Sequence, residues 1–266
     1  MTAAEQGIGI FDSGIGGLTV LHALAQALPT EELIYLGDTG RFPYGTKSAE
    51  TIVRYSIESC DFLIDKGIKA LVVACNSASA TALATLRARY RVPVVGVIEP
   101  GARAAVARTR TGKVGVIGTE ATIASGAYTQ ALRSLHDRLE IYTRACPLLV
   151  PLAEEGWTDG PIATEVAGAY LASLTKSGID TLILGCTHYP LLRGVIAAAM
   201  GPAVGLVDSA EETAREVAEL LAPHALRRPS GTGLDSFFVT DVPDRFIRVG
   251  QRFLGARVES AVRIER

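Results

Sequence analysis

Short, wholly apolar runs alternate with longer amphipathic stretches along nearly the whole chain, and no other feature restricts the fold as much. A strand that is apolar at consecutive positions is buried on both faces, the situation of a parallel sheet covered by helices. The runs predict strands over residues 8–11, 33–36, 70–74, 94–97, 114–117, 139–142, 181–184, 205–207 and 236–239. Helices fill the intervals. Among them are 49–66 and 161–177, the second opening on Pro161 in its first turn and stopping at Gly178. The expected class is α/β, with parallel-type sheets flanked by helices.

The chain also resembles itself. Gly67-Ile68-Lys69-Ala70-Leu71-Val72-Val73-Ala74-Cys75-Asn76 matches Gly178-Ile179-Asp180-Thr181-Leu182-Ile183-Leu184-Gly185-Cys186-Thr187 at an offset of 111 residues. In each copy a glycine ends a helix, a buried strand follows, and a cysteine with a polar neighbour closes it. A weaker match relates residues 7–13 to 112–119 at about the same offset. Two pseudo-symmetric α/β domains follow, the first over residues 1–99 and the second over 100–207, with 208–266 either extending the second or returning to the first. That last stretch holds Pro229-Ser230-Gly231-Thr232-Gly233, a loop or linker signal, then one strand and an amphipathic helix with Phe246, Val249, Phe253 and Leu254 at helical spacing. It is too short to build its own core and is expected to dock on an existing sheet.

Composition excludes several classes of function. The 266 residues are 48% hydrophobic and 20% charged, those of a globular protein with ample length for real cores. A net charge of −2 gives no electrostatic reason to bind nucleic acid or an anionic membrane. No apolar stretch reaches the length of a membrane span, and Glu5 stands where a signal peptide carries basic residues, so a cytoplasmic location is expected. Cys60, Cys75, Cys146 and Cys186 lie far apart, without a CxxC pair, which points to reduced thiols and to no metal site.

In parallel α/β sheets ligands gather at the carboxyl ends of strands. The polar groups there are Asp12-Ser13-Gly14-Ile15-Gly16-Gly17, Gly37-Asp38-Thr39, Cys75-Asn76-Ser77, Gly118-Thr119 and Cys186-Thr187-His188-Tyr189-Pro190. The glycine cluster fits neither GxGxxG nor a Walker loop, and reads equally as an anion cradle or a tight turn. Asp12 suits a helix N-cap or a site carboxylate, and His188 a turn or the tuning of a thiol. The loop Arg41-Phe42-Pro43-Tyr44-Gly45 can present amides and a hydroxyl, or be a plain turn. By composition Glu154-Glu155-Gly156-Trp157 is a solvated helix end.

A lone cysteine after a buried strand is ordinarily an inert small hydrophobe. Two at equivalent strand ends of related halves are different, because packing supplies no reason for the symmetry. Cys75 and Cys186 would face one cleft from opposite sides, whereas Cys60 and Cys146 read as structural. Such a pair suits removal of a proton next to a carboxylate and its return on the opposite face, one group acting as thiolate and the other as thiol.

The strings DSGIGG, YLGDTGRFPYG, CNSAS and GCTHYP, in this order over nearly the entire chain, resemble the glutamate racemase family of the aspartate/glutamate racemase superfamily. The resemblance implies two α/β domains with the active site in the cleft between them, and places 208–266 with the first domain. It implies cofactor-independent racemisation of glutamate by two bases, Cys75 and Cys186, with Asp12 assisting Cys75 and His188 assisting Cys186. An acidic residue from the Glu154–Glu155 pair stands nearby, taken as Glu154 although the motif does not separate the two. Substrate contacts are implied for Asp12, Ser13, Tyr44, Gly45, Asn76, Ser77, Thr187 and His188. The implied role is cytoplasmic supply of D-glutamate for peptidoglycan, by a homodimer. Ser77 and Gly40 depart from the threonine and alanine common in the family, and neither change touches the thiols. Rival readings are a racemase of the same superfamily acting on aspartate or another carboxylate, and a non-catalytic amino-acid-binding protein.

Overall fold

In the computed structural model, which describes residues 2–222, 226–230, 233, 235–254 and 257–265, each expected strand forms, with ends within three residues of those read from the sequence. Gly231 and Thr232 of the expected linker lie outside the described residues. The first run of elements is β1 (Ile8–Asp12), α1 (Leu18–Ala27), β2 (Leu33–Gly37), α2 (Ala49–Asp65), β3 (Ala70–Val73), α3 (Asn76–Arg89) and β4 (Val94–Gly96). A second follows: α4 (Ile98–Arg108), β5 (Lys113–Gly118), α5 (Glu120–Ala124), α6 (Ala127–Leu135), β6 (Glu140–Ala145), α7 (Leu149–Glu155), α8 (Gly160–Thr175), β7 (Thr181–Gly185), α9 (Arg193–Met200) and β8 (Gly205–Asp208). The chain then forms α10 (Ser209–Leu221), β9 (Ser236–Val239), α11 (Pro243–Leu254) and a short β10 (Val262–Arg263).

The strands make two parallel sheets, ordered β10-β9-β2-β1-β3-β4 and β6-β5-β7-β8. Stripped of β9 and β10, the first sheet repeats the second strand for strand, which is the internal match of the sequence written in topology. Both faces of each sheet are covered. Alternate residues of the central strands decide the partner: Ile8 and Ile10 pack with α1, α10 and α11, while Phe11 and Val73 pack with α2 and α3. In the second sheet Val114 and Val116 pack with α4 and α6, and Leu182 and Leu184 with α7, α8 and α9.

Glycines account for the repeated string. Gly67 and Gly178 end α2 and α8 at φ of 75° and 73°, a left-handed conformation that costs glycine little. The isoleucine that follows each, Ile68 or Ile179, lies where a side chain at Gly9 or Gly115 of the neighbouring strand would stand, 2.6 Å and 2.5 Å from an added Cβ. Close approach of helix end to central strand is thus built identically in both halves.

The tail extends the first sheet: β9 pairs with β2, and α10 and α11 bury Ala214, Val217, Phe246 and Val249 against it. Strand β6 is an edge strand with Glu140 and Arg144 exposed, so its apolar signal is weak and its span is shifted from the expected 139–142.

Candidate active site

In each sheet the chain leaves the first central strand to one side and returns on the other, so the carboxyl ends of β1 and β3, and of β5 and β7, are switch points where a crevice opens. The two crevices share one cavity of about 30 Å³, room for about one water molecule and well below the size of an open ligand pocket. From the first sheet it is lined by Ser13, Tyr44, Gly45, Cys75, Asn76 and Ser77, with Phe42 and Pro43. From the second come Thr119, Val150, Cys186, Thr187 and His188. Cys75 and Cys186 therefore open into a single space from equivalent strand ends. Cys60 and Cys146 are buried in the apolar clusters of the first and second sheet.

Cys75 caps α3, and its thiol donates to Oγ of Ser13 at 3.4 Å. Burial, reinforced by the negative charge of Asp12, pushes this thiol up to about 12 against the pull of Ser13, so it rests protonated. Asp12 is the last residue of β1 rather than a helix cap; α1 is capped by Gly17. Its Oδ2 accepts from the amide of Gly14 at 2.8 Å, while Oδ1 is buried without a hydrogen-bond partner. Burial raises its carboxyl above the usual range, against the opposing charge of His188. Asp12 is fully buried and is not among the residues that line the cavity.

At the other thiol, Nδ1 of His188 lies 3.9 Å from Sγ of Cys186 and Nε2 lies 3.1 Å from Oε1 of Glu154. Burial opposes charge on His188, but the hydrogen bonds to Cys186 and Glu154 outweigh it and hold the imidazole up to about 10. Burial also opposes the ionisation of Glu154, and His188 with Arg245 overcomes it, leaving its carboxyl below the usual range. The paired glutamates are thereby separated: Glu154 is 5% exposed and meets His188, whereas the side chain of Glu155 is 68% exposed.

The glycine cluster owes its composition to close packing, across the two sheets at Gly16 and within the first half at Gly14 and Gly17. A Cβ at Gly16 would stand 2.5 Å from Nδ1 of His188 and would also strike the hydroxyl of Thr187, and one at Gly17 would lie 2.5 Å from Cβ of Asp12. Gly45 plays the same part toward Thr119, whose Cβ is 2.6 Å from the position a side chain would take. Gly40 donates its amide to Oγ1 of Thr240 at 2.9 Å, and an added Cβ would stand 3.3 Å from Asp241, a tight contact but not one that requires glycine.

The polar lining is held by residues that local sequence did not mark. Tyr128 of α6 donates to Oδ1 of Asn76 at 2.7 Å, leaving the N–H donors of that amide for the cavity. Ser77 shares hydrogen bonds of 2.9 Å with Thr119 and 3.2 Å with Thr122, so hydroxyls from both sheets form one cluster. The carbonyl of Thr187 accepts from Thr19 at 3.2 Å. Tyr44 lines the cavity and gives its hydroxyl proton to Asp38, which also holds Arg41. Thr119 and Asp38 sit after strands, where a search for polar groups finds them. Tyr128, Thr122 and Arg245 have no such signal, being distant in sequence from what they touch.

The cavity thus combines two thiols, a histidine–glutamate pair behind one, a carboxylate near the other, and donors for anionic groups. Residues 8–217 match the Asp/Glu/hydantoin racemase family. A glutamate racemase of Geobacter metallireducens is 60% identical over 252 residues, 94% of this chain and 93% of the relative. A glutamate racemase isoform of Bacillus anthracis superposes with a TM-score of 0.96 at 42% identity, with 98% of each chain covered. The Francisella tularensis glutamate racemase solved in complex with D-glutamate superposes with a TM-score of 0.93 at 37% identity, again over 98% of each. A family match across most of the sequence and a relative at this identity over nearly the full length of both chains make this chain a member of the Asp/Glu/hydantoin racemase family.

Proposed function

We propose that Cys75 and Cys186 interconvert L- and D-glutamate by carrying the α-proton on opposite faces of one stereocentre. The observation that carries this reading is the opening of both cysteines, from equivalent strand ends of related sheets, into one small cavity. The chain is an amino-acid racemase, an isomerase, and its general role is supply of D-glutamate for peptidoglycan.

In the resting site the thiol of Cys75 carries a proton and cationic His188 stands where it can stabilise negative charge on Cys186. The thiolate of Cys186 takes the α-proton from one enantiomer, and the thiol of Cys75 gives its proton to the other face of the resulting carbanion. The opposite enantiomer is processed in the reverse sense, so one protein bond to hydrogen is broken for each one made. The ammonium group of the substrate is assigned to the carboxylate of Asp12, whose Oδ1 has no hydrogen-bond partner. Its carboxylates fit the amide donors of Asn76, the Gly45 backbone and the hydroxyls of Ser13, Ser77 and Thr187. Asp12 supports proton movement at Cys75, and Glu154, through His188, supports it at Cys186.

In this reading residues 1–99 with 208–266 form one unit and 100–207 the other, with the cleft between them as the reaction chamber. Among the described residues no helix is long and apolar enough to cross a membrane. We propose that the enzyme works in the cytoplasm as a homodimer. Steady-state racemisation of glutamate beside aspartate tests the substrate. The expected result is strong preference for glutamate; equal or faster turnover of aspartate overturns it.

A further inference from the structure

Helix α11 is anchored in the first sheet, with Phe246 and Val249 buried there and the Phe246 ring 5.8 Å from that of Tyr35. The same helix turns three side chains to the half of the site built by the second sheet. Arg245 donates to Oε2 of Glu154 at 2.9 Å, and the guanidinium of Arg252 donates to the Glu154 carbonyl. Phe253 meets the ring of His188 edge-on, with centroids 5.9 Å apart. Two helical turns separate Arg245 from Arg252, which puts both on one stripe of α11.

The two carboxylate oxygens of Glu154 are consequently divided, Oε1 to His188 and Oε2 to Arg245. A carboxylate gripped at both ends has a fixed rotamer, and the imidazole it holds has a fixed plane and a fixed proton position. The side chain of Arg245 is 43% exposed, so its ion pair adds little as a surface contact; its partner, at 5% exposure, is the group that feels it.

We propose that Arg245 is a positioning residue, acting through Glu154 and His188 on proton transfer at Cys186 and not at Cys75. Helix α11 of one unit thereby sets the acid–base group of the other. This rests on the two-thiol reading.

The equilibrium constant between enantiomers is one, so kcat/KM must fall equally in both directions whichever thiol is impaired. Isotope effects carry the distinction. If proton transfer at Cys186 is slowed, breaking the Cα–H bond becomes more rate-limiting for the enantiomer that Cys186 deprotonates and less so for the enantiomer that Cys75 deprotonates. The experiment compares kcat/KM for L- and D-glutamate, with hydrogen or deuterium at Cα, in the full-length wild type and in Arg245→Met. The expected result is a fall of about 10-fold or more in kcat/KM, part of the ~10²–10⁴-fold that a placed acid or base supplies, with the two isotope effects moving apart. Arg245→Lys should recover most of the rate, and Arg248→Met, which removes an exposed charge from the same helix, should match wild type. Arg245→Gln carries the same expectation should the methionine variant fail to fold, as judged by thermal unfolding. Wild-type rates in the folded variants, or isotope effects that change together, overturn the proposal. Failure of the two-thiol reading is seen separately, as racemisation surviving in Cys75→Ser or Cys186→Ser with Arg245 intact.

Discussion

The phenol of Tyr128 holds the side-chain carbonyl of Asn76 at 2.7 Å, from a helix of the second sheet to the first turn of a helix on the first. The bond fixes which end of the amide faces the cavity and ties the two halves together beside it. Both residues are buried, at 2% and 4% exposure, so losing the donor leaves an unsatisfied acceptor. Tyr128→Phe should cost about 1–3 kcal/mol of stability, measured by urea unfolding, and raise KM for glutamate severalfold with a smaller change in kcat. An unchanged KM would mean that Asn76 does not contact substrate.

Gly16 lies beneath the catalytic histidine of the proposed mechanism, and a methyl there would stand 2.5 Å from its Nδ1. Gly16→Ala should displace His188, lowering kcat by about 100-fold and stability by about 1–3 kcal/mol. Gly168 on α8 offers the contrast, with nothing within 4 Å of an added Cβ. Gly168→Ala should leave kinetics unchanged and stabilise by about 0.5–1 kcal/mol, because alanine loses less backbone freedom in a helix. Steady-state rates and thermal melts of both variants decide the matter.

Stability should fall on the alkaline side. His188 titrates at about 10 in the folded protein against 6.5 for a free imidazole, so the folded state binds its proton more tightly. The resulting stabilisation is complete below about 6.5 and is lost as pH rises toward 10. Cys75, raised to about 12 from 9.0, adds a further loss over that higher interval. The urea midpoint should therefore decline from pH 7 to 10, and decline less steeply in His188→Gln. A midpoint independent of pH across this range would contradict the ionised state assigned to His188.

The strands were legible because burial on both faces writes itself as consecutive apolar residues, as in Ala70–Val73 and Thr181–Gly185. The two-residue β10 was not, since Val262 and Arg263 are exposed and pair through backbone alone. The thiols were visible through repetition of the string that ends in Cys75 and Cys186. Glu154 and Glu155 look alike in sequence, and only the turn of α7 buries one against His188 and exposes the other. Tyr128 and Arg245 act across 52 and 91 residues of chain, on partners that no local pattern identifies. The glycines of DSGIGG were visible as a cluster, yet the reason for Gly16 lies in Thr187 and His188, supplied by the other sheet.

Hydrogen exchange at Cα in heavy water tests the central claim most directly, because it reports proton removal without presuming a metabolic role. Wild type should incorporate deuterium at Cα starting from either enantiomer of glutamate, and Cys75→Ser and Cys186→Ser, folded as judged by circular dichroism, should racemise neither. Wild type that leaves the Cα hydrogen in place, or a single-serine variant with full racemase activity, would contradict it.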